Sequence, residues 1–450
     1  MRLLKRVITA VTRPGYAFQH ILQGRLFNPA INRTLERLGG VSLMARLTNW
    51  SIDCVGWRPG RDTVLVLDRL YFSKDVTELR RLGACNYVNL HTHVLSVTQA
   101  NWLPEELQEQ ISYWPRTRPE HAAAWAKAEA YADAVLTQAR QRFGAKAVLA
   151  SNVDYWQHES FRRACQRQGI PFLVLCQEQQ TVPFTYDVGL KLYRDADFRY
   201  TGTAVAVFEG RTRDMLIECD CCTPDQVAIT GAPRLDPWFD GTVKPAPADT
   251  LTLLAYDGDQ YFAPNCYLEA LRVFADASLA HGDKGIDFVL KCKDAEDQAR
   301  AIGHLEGVDH RLVLTHERTL PELFSRSRLV MGYNTLAILE ALLSPAEIAV
   351  PAWSDADRPR AEQIVDTGDA ESRKHYLVLD GPEAWRAMLD HAVATPRPAV
   401  DTRARRQLLR RWFHVPEDGC ASRAVEAFIR SYFVGDSATP TQTAMPRAAE

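Results

Sequence analysis

Short β-branched runs alternate with longer helical patterns from Thr63 to Leu379, and the alternation stops once and restarts. That rhythm constrains the fold most, because strand–helix–strand repeats close only as right-handed crossovers feeding a parallel sheet. In the first half the strand candidates are Thr63 to Asp68, Tyr87 to His91, Ala147 to Ser151, Phe172 to Cys176, Ala204 to Phe208 and Val227 to Thr230. Helical patterns fit between them, the clearest at Glu120 to Arg142 and Trp156 to Gln168, the latter ended by Gly169-Ile170-Pro171. The interruption, Asp240 to Asp249, holds Val243 as its one large apolar side chain and is stiffened by Pro245 and Pro247. Beyond it the spacing predicts strands at Leu251 to Tyr256, Phe288 to Lys291, Arg311 to Leu314, Leu329 to Gly332, Ile348 to Val350 and Tyr376 to Leu379. Helices are expected at Tyr267 to Ala280, Thr335 to Leu343 and Pro382 to Val393, followed by Arg403 to Phe413 and Ala421 to Phe433 with no strand after them.

A chain of 450 residues is too long for one ordinary core. The expected division is an N-terminal α/β domain over 1–239, a linker over 240–249, a second α/β domain over 250–435 and a disordered tail over 436–450. Both domains are doubly wound and Rossmann-like. With 46% apolar and 24% charged residues and a net charge of −3, the chain has the composition of a soluble globular protein without the basic footprint of a nucleic-acid binder. No apolar run spans a bilayer and no signal-peptide core is present near Met1, so the expected location is the cytoplasm. Residues 1–45 carry Arg2, Lys5, Arg6, Arg13, Arg25, Arg33 and Arg37 among apolar residues, opposed by Glu36 alone. Such an arm either rests on an anionic inner-membrane surface, as in a peripheral protein, or caps the N-terminal domain as a solvated helix. The ten cysteines lack zinc spacing, and Cys219-Asp220-Cys221-Cys222 is read as thiols beside a helix end.

In open parallel sheets, ligands bind outside the carboxyl ends of the strands. Carboxylates and histidines there are the candidate acid, base or nucleophile groups: Glu178 and Asp154 first, then His91 or His93. His91 and His93, two apart on an extended segment, would point the same way and could take a metal with a carboxylate. No third ligand stands at readable spacing, so no metal is expected. Gly231 and Pro233 permit a tight turn at a strand exit, leading to Arg234. Asp257 and Asp259 flank a glycine at another exit, and Glu317 stands at a third.

Four segments carry a resemblance. "VAVFEGRTRDML…VAITGAPRLDPW" resembles the end of the N-terminal domain in GT-B glycosyltransferases of bacterial capsule and lipopolysaccharide assembly. "DFVLKCKDAED" stands where those proteins have a strand and then Lys-x-His-Pro, with Lys293-Asp294 replacing His-Pro. "LVMGYNTLAILEALL" resembles their donor-cradling strand and helix, and "EDGCASRAVEAFI" resembles their closing helix. The nearest groups are capsule-type Kdo transferases and CDP-glycerol-type polymer transferases.

The resemblance implies a GT-B fold, with a cleft between two Rossmann-like domains and the C-terminal helices packing back. It also implies transfer of a sugar, Kdo or a relative, from a CMP, CDP or UDP donor to a cell-surface polysaccharide or lipid-linked glycan. Gly231, Pro233, Arg234, Lys291, Lys293, Glu317, Asn334, Thr335 and Glu340 are the donor-binding expectations; Glu209, Arg213, Asp257 and Asp259 serve either donor or acceptor. The nucleotide sugar is a co-substrate and no cofactor is required. A nucleotide-sugar 2-epimerase or hydrolase of the same shape and a noncatalytic partner in polysaccharide assembly remain the competing readings.

Overall fold

A computed structural model describes residues 27–68, 72–111, 119–176, 183–244, 246–256, 264–360 and 363–433. Contacts divide the chain into two compact units. The first lies within Met1–Gln180, Val188–Arg234 and Pro416–Glu450, the second within Thr181–Asp187 and Leu235–Val415.

In the first unit, helix α1 (Pro29–Ser51) precedes β1 (Thr63–Asp68), α2 (Ser73–Leu82), β2 (Asn86–His91), α3 (Thr92–Gln99), α4 (Ala122–Phe143), β3 (Ala145–Ala150), α5 (Trp156–Gln168) and β4 (Phe172–Cys176). Helix α6 (Pro183–Asp195), which belongs to this unit from Val188 onward, β5 (Ala204–Val207), α7 (Gly210–Glu218) and β6 (Val227–Ile229) complete the alternation. All pairings are parallel, in the order β2-β1-β3-β4-β5-β6. Strands β4 and β5 are buried at every residue, as parallel strands covered by helices on both faces must be. The order reverses between β1 and β3, where the crossovers to one side and to the other begin.

The second unit contains β7 (Thr250–Leu254), α8 (Pro264–Ala280), β8 (Asp287–Lys291), α9 (Ala295–His304), β9 (Val313–Thr315), α10 (Leu320–Arg326) and β10 (Ser327–Met331). It continues through α11 (Leu336–Glu340), β11 (Glu347–Pro351), α12 (Ala370–Arg373), β12 (Leu377–Leu379), α13 (Pro382–Ala394) and α14 (Thr402–Leu409). Its sheet runs β12-β11-β10-β7-β8-β9, again all parallel, so its first strand, β7, lies between β8 and β10 and the reversal falls at β7/β10. The core packs α8 and α13 on one face, with Phe274 stacked on the fully buried Trp385 at 6.0 Å.

The expected doubly wound α/β architecture is therefore present twice. The boundary between the compact units falls after Arg234, ahead of the expected linker start at Asp240. The residues between are held in the second unit, where Phe239 lies under the Arg406 guanidinium at 5.2 Å. Cys219, Cys221 and Cys222 are all buried. Residues 1–26 of the expected basic arm lie outside the described residues. The remainder of the arm belongs to α1, which runs on past residue 45 and buries Met44, Ala45, Leu47 and Thr48 in the first unit.

The chain returns to the first unit for its last described helix, α15 (Ala421–Arg430), which packs against α2. Within this contact the Glu426 carboxylate accepts hydrogen bonds from the Cys85 thiol and amide, and burial pushes its proton affinity above the usual carboxylate range. A carboxyl with a raised folded-state pKa favours the fold when protonated, so native stability falls as pH climbs through the interval above the ordinary value. Glu426→Gln, which mimics the protonated form, is expected to raise the unit's melting temperature at neutral pH by a few degrees, for about 1 kcal/mol. The gain should vanish below pH 4, and thermal melts across that range check it.

Candidate functional site

Each sheet presents its crossover reversal at its carboxyl edge, and the sequence-predicted residues are best judged by what the chain does with them there. In the first unit, Asp154 follows β3 in the turn Ser151-Asn152-Val153-Asp154. Asn152 Oδ1 accepts the Asp154 amide at 3.2 Å, and the Asp154 carbonyl accepts the Ile111 amide at 2.8 Å. Its carboxylate receives the Tyr193 hydroxyl at 3.3 Å, and Asp154 is only 1% exposed. It lies beneath the carboxyl edge rather than on it. Burial and the nearby Asp154 charge together push the Tyr193 phenol well above its ordinary range, so Tyr193 stays a donor to that carboxylate.

His91 closes β2 and is exposed. His93, however, is not on an extended segment: α3 starts at Thr92, and alternation along a strand does not apply across a strand–helix junction. The shared-direction argument for a metal therefore fails. Among the described residues, no group of three or more His, Cys, Asp or Glu side chains is arranged to hold a metal ion. Glu178 lies outside the described residues, two positions beyond the end of β4.

Glu209 caps α7: it is 3% exposed and its carboxylate accepts the amides of Arg211 and Thr212 and the Thr212 hydroxyl. Those bonds engage it in folding the strand exit. Arg213, one turn along, is half-buried. The turn after β6 travels farther. Gly231 takes φ +80, a left-handed value that glycine alone adopts without strain, and the chain passes through Pro233 to Arg234. The Arg234 guanidinium covers the Phe208 ring at 4.9 Å, beyond β5, and its backbone amide donates to Asp75 Oδ1 at 3.0 Å, on the first turn of α2 beyond β1. Strands β3, β4 and β5 lie between β1 and β6, so Gly231 to Arg234 form a strap laid back across the carboxyl edge. Asp75, which holds its far end, is wholly buried.

In the second unit the exits of β7 and β10 lie side by side. Tyr256 and Tyr333 follow those strands with ring centroids 5.9 Å apart, and Tyr267 of α8 packs on Tyr256 at 5.0 Å. Gly332 makes this approach possible, since a Cβ there would stand 2.7 Å from Leu254 Cδ1. The topology thus brings together the exits of β7 and β10, which the sequence keeps far apart. Asp257 and Asp259 themselves lie outside the described residues. The tyrosines were not among the candidates, although each directly precedes one.

Helix amino ends at this edge attract anions through unpaired N–H groups and the helix dipole. Three of them differ in what already occupies them. At α8, the Asp355 carboxylate, from the loop after β11, accepts the amides of Asn265 at 3.2 Å and Cys266 at 3.0 Å. At α9, Asp294 accepts the Asp297 amide at 2.9 Å while Asp297 accepts the Lys293 amide at 2.7 Å. Both ends are neutralised by the chain's own carboxylates. The α11 end has no acidic residue in its first turn and is capped by the neutral Thr335 hydroxyl, which accepts the Ala337 amide at 3.4 Å.

The expected helix Thr335 to Leu343 is here α11 followed by a 3-10 turn, Ala341–Leu343, because Thr335 takes the extended cap conformation. Asn334 sits at φ +44 with its Oδ1 accepting the Ile364 amide at 3.0 Å. Glu340, 5% exposed, ends α11. Elsewhere on this edge, Lys291 Nζ donates to the carbonyls of Cys292 at 2.6 Å and His316 at 3.1 Å, tying the exits of β8 and β9 together. Lys293 and Glu317 are exposed.

Among protein-family models, none matches this chain. No curated relative matches it either. Solved structures similar to it include a UDP-GlcNAc 2-epimerase from Neisseria meningitidis bound to UDP-GlcNAc, at 12% identity and TM-score 0.44 over 82% of this chain and 99% of that one. A UDP-forming α,α-trehalose-phosphate synthase from Burkholderia vietnamiensis aligns at 10% identity and TM-score 0.42, over 82% and 100% of the two chains. A UDP-glucosyltransferase from Polygonum tinctorium aligns at 12% identity and TM-score 0.44, over 84% and 99%.

Proposed function

We propose that this chain is a nucleotide-sugar-dependent glycosyltransferase. The carrying observation is the β7/β10 reversal of the second sheet, where two helix amino ends are filled by aspartates and the α11 end, with Asn334, Thr335 and Glu340, has no carboxylate cap among the described residues. The donor's phosphates would lie against the Asn334-Thr335 turn, and Glu340 would receive hydroxyls of the nucleoside. A diphosphate placed at α8 or α9 would meet Asp355 or Asp294 and Asp297 at the same amides.

On the first unit, an acceptor hydroxyl needs a base at the carboxyl edge. Glu178 and the exposed His91 fit that role better than Asp154, whose carboxylate is covered and held by Tyr193. The order of the four sequence segments supports a capsule- or lipopolysaccharide-type acceptor, a polysaccharide or lipid-linked glycan, with a CMP, CDP or UDP donor and Kdo as the first sugar to try.

The experiment is incubation of the full chain with CMP-, CDP-, UDP-, GDP- and TDP-sugars, with and without a lipid-linked glycan acceptor. Acceptor-dependent release of one nucleotide supports the proposal. An epimerised or free sugar formed without acceptor replaces it by the 2-epimerase or hydrolase reading, and no nucleotide binding at all overturns both. Glu340→Gln is expected to weaken binding of the productive nucleotide about tenfold, the worth of one charge-assisted hydrogen bond. Titration calorimetry reads that change.

A further inference from the structure

Helix α1 is two helical pieces joined at Gly40, where φ is 56 and ψ −158. The second piece buries Met44, Ala45 and Leu47, together with Thr48, Asn49 and Ser51, and leaves Trp50 49% exposed. The first is turned inside out. Two of its side chains make polar contacts with the rest of the unit: Asn32 Oδ1 accepts from Asn101 at 2.6 Å, and Glu36 Oε1 accepts the Trp102 indole N–H at 2.9 Å. Its apolar residues face away, with Ile31 44% and Leu38 78% exposed. Arg33 and Arg37 are exposed as well, on the other flank of the helix. Spacing of seven puts Ile31 and Leu38 on one face of a helix, with Leu35 adjoining.

A globular protein gains nothing by holding a leucine in water while pointing an asparagine and a glutamate inward. The charge around this face identifies what would cover it. Among the described residues up to Ile52, three basic side chains, Arg33, Arg37 and Arg46, stand against one acidic, Glu36, so this stretch is net +2 in a chain of net −3. The acidic residue is the one turned toward Trp102. A second copy of the chain would set two such stretches against each other and be repelled. Nucleic acid would use the arginines but leave Ile31 and Leu38 in water. An anionic lipid surface satisfies both, taking the apolar stripe into the acyl boundary and the arginines at the headgroups.

We propose that the outer face of α1 before Gly40, centred on Ile31, Leu38, Arg33 and Arg37, docks the protein on an anionic bilayer surface. The inference is independent of the sugar-transfer reading and is tested without activity. The full chain is sedimented with vesicles of phosphatidylcholine alone and of phosphatidylcholine with phosphatidylglycerol, at low and raised salt. Binding is expected only with the anionic lipid and to fall with salt. Ile31→Ser with Leu38→Ser should lower the partition roughly tenfold, and Arg33→Gln with Arg37→Gln about fivefold per arginine, both without change in melting temperature. Equal binding to neutral vesicles, no binding to either, or native-strength binding by both double variants overturns the proposal. So does concentration-dependent self-association abolished by Leu38→Ser, which would assign the face to a second copy.

Discussion

A Glu178→Gln chain is expected to hold its donor nucleotide as tightly as the native protein and to turn over a hundred to ten thousand times more slowly. Proton abstraction by a positioned carboxylate is worth about that much, and the amide is isosteric but cannot take the proton. Strand β4, in register beside β3 from Val148 with Phe172 through Ala150 with Val174, ends at Cys176, and Glu178 follows two positions later in the sequence. The contrast with Asp154→Asn separates a base from a buried structural acid. Asp154 is covered and carries the Tyr193 hydroxyl, so its replacement should lower the melting temperature first and leave the shape of the pH–rate profile intact. Glu178→Gln should do the reverse, removing the acidic limb of that profile. Donor binding by calorimetry and kcat against pH check both. A normal kcat in the Glu178 variant would move the base to His91.

The elements themselves were legible because each is nearly self-contained. Phe172 to Cys176 reads as a strand because an unbroken apolar run of that length must be covered on both faces, and it is. Helix Trp156 to Gln168 ends where Gly169 follows. Strand order was not legible. That β7 lies between β8 and β10 follows from crossovers tens of residues long, and local periodicity carries no record of which neighbour a strand finds. The same gap hid Asp355, which caps a helix about ninety residues earlier in the chain, and Asp75, which is a plain first-turn helix residue until the strap from β6 arrives.

The departure from His-Pro at Lys293-Asp294 becomes intelligible at this level. Asp294 is the cap of α9, and Asp297 accepts the Lys293 amide, so this amino end is closed by the chain's own carboxylates. Under the proposed function, the donor phosphates would therefore lie at another amino end of the same edge, the neutral end of α11 beside the reversal.

Asp75→Ala is expected to be the most destabilising single change at the edge of the first unit. Asp75 is wholly buried, and Arg234 stands over it with its amide bonded at 3.0 Å and its Nε at 3.9 Å while only 9% of its side chain is exposed. Removing the carboxylate takes a charge and the acceptor of the Arg234 amide out of a buried contact, a loss of about 3 kcal/mol, or roughly 6 °C or more in the unit's melting temperature. It also frees the far end of the strap, so any ligand held by Gly231 to Arg234 should bind more weakly in the same variant.

Asp75→Asn distinguishes the two functions of the carboxylate, because an amide oxygen still accepts the Arg234 N–H while the charge is gone. Burial raises the Asp75 pKa above the carboxylate range, more than Arg234 lowers it. The ionised form is therefore the costly one in the fold, and the native protein gains from this site as pH falls through the raised value toward the ordinary one. The asparagine variant has no such dependence. Its melting temperature relative to the native protein should be highest near pH 8 and decline as pH drops to 4. A difference constant over that range would mean that the Asp75 pKa in the fold is not raised above its unfolded value, and would overturn the assignment of an energetic cost to its charge.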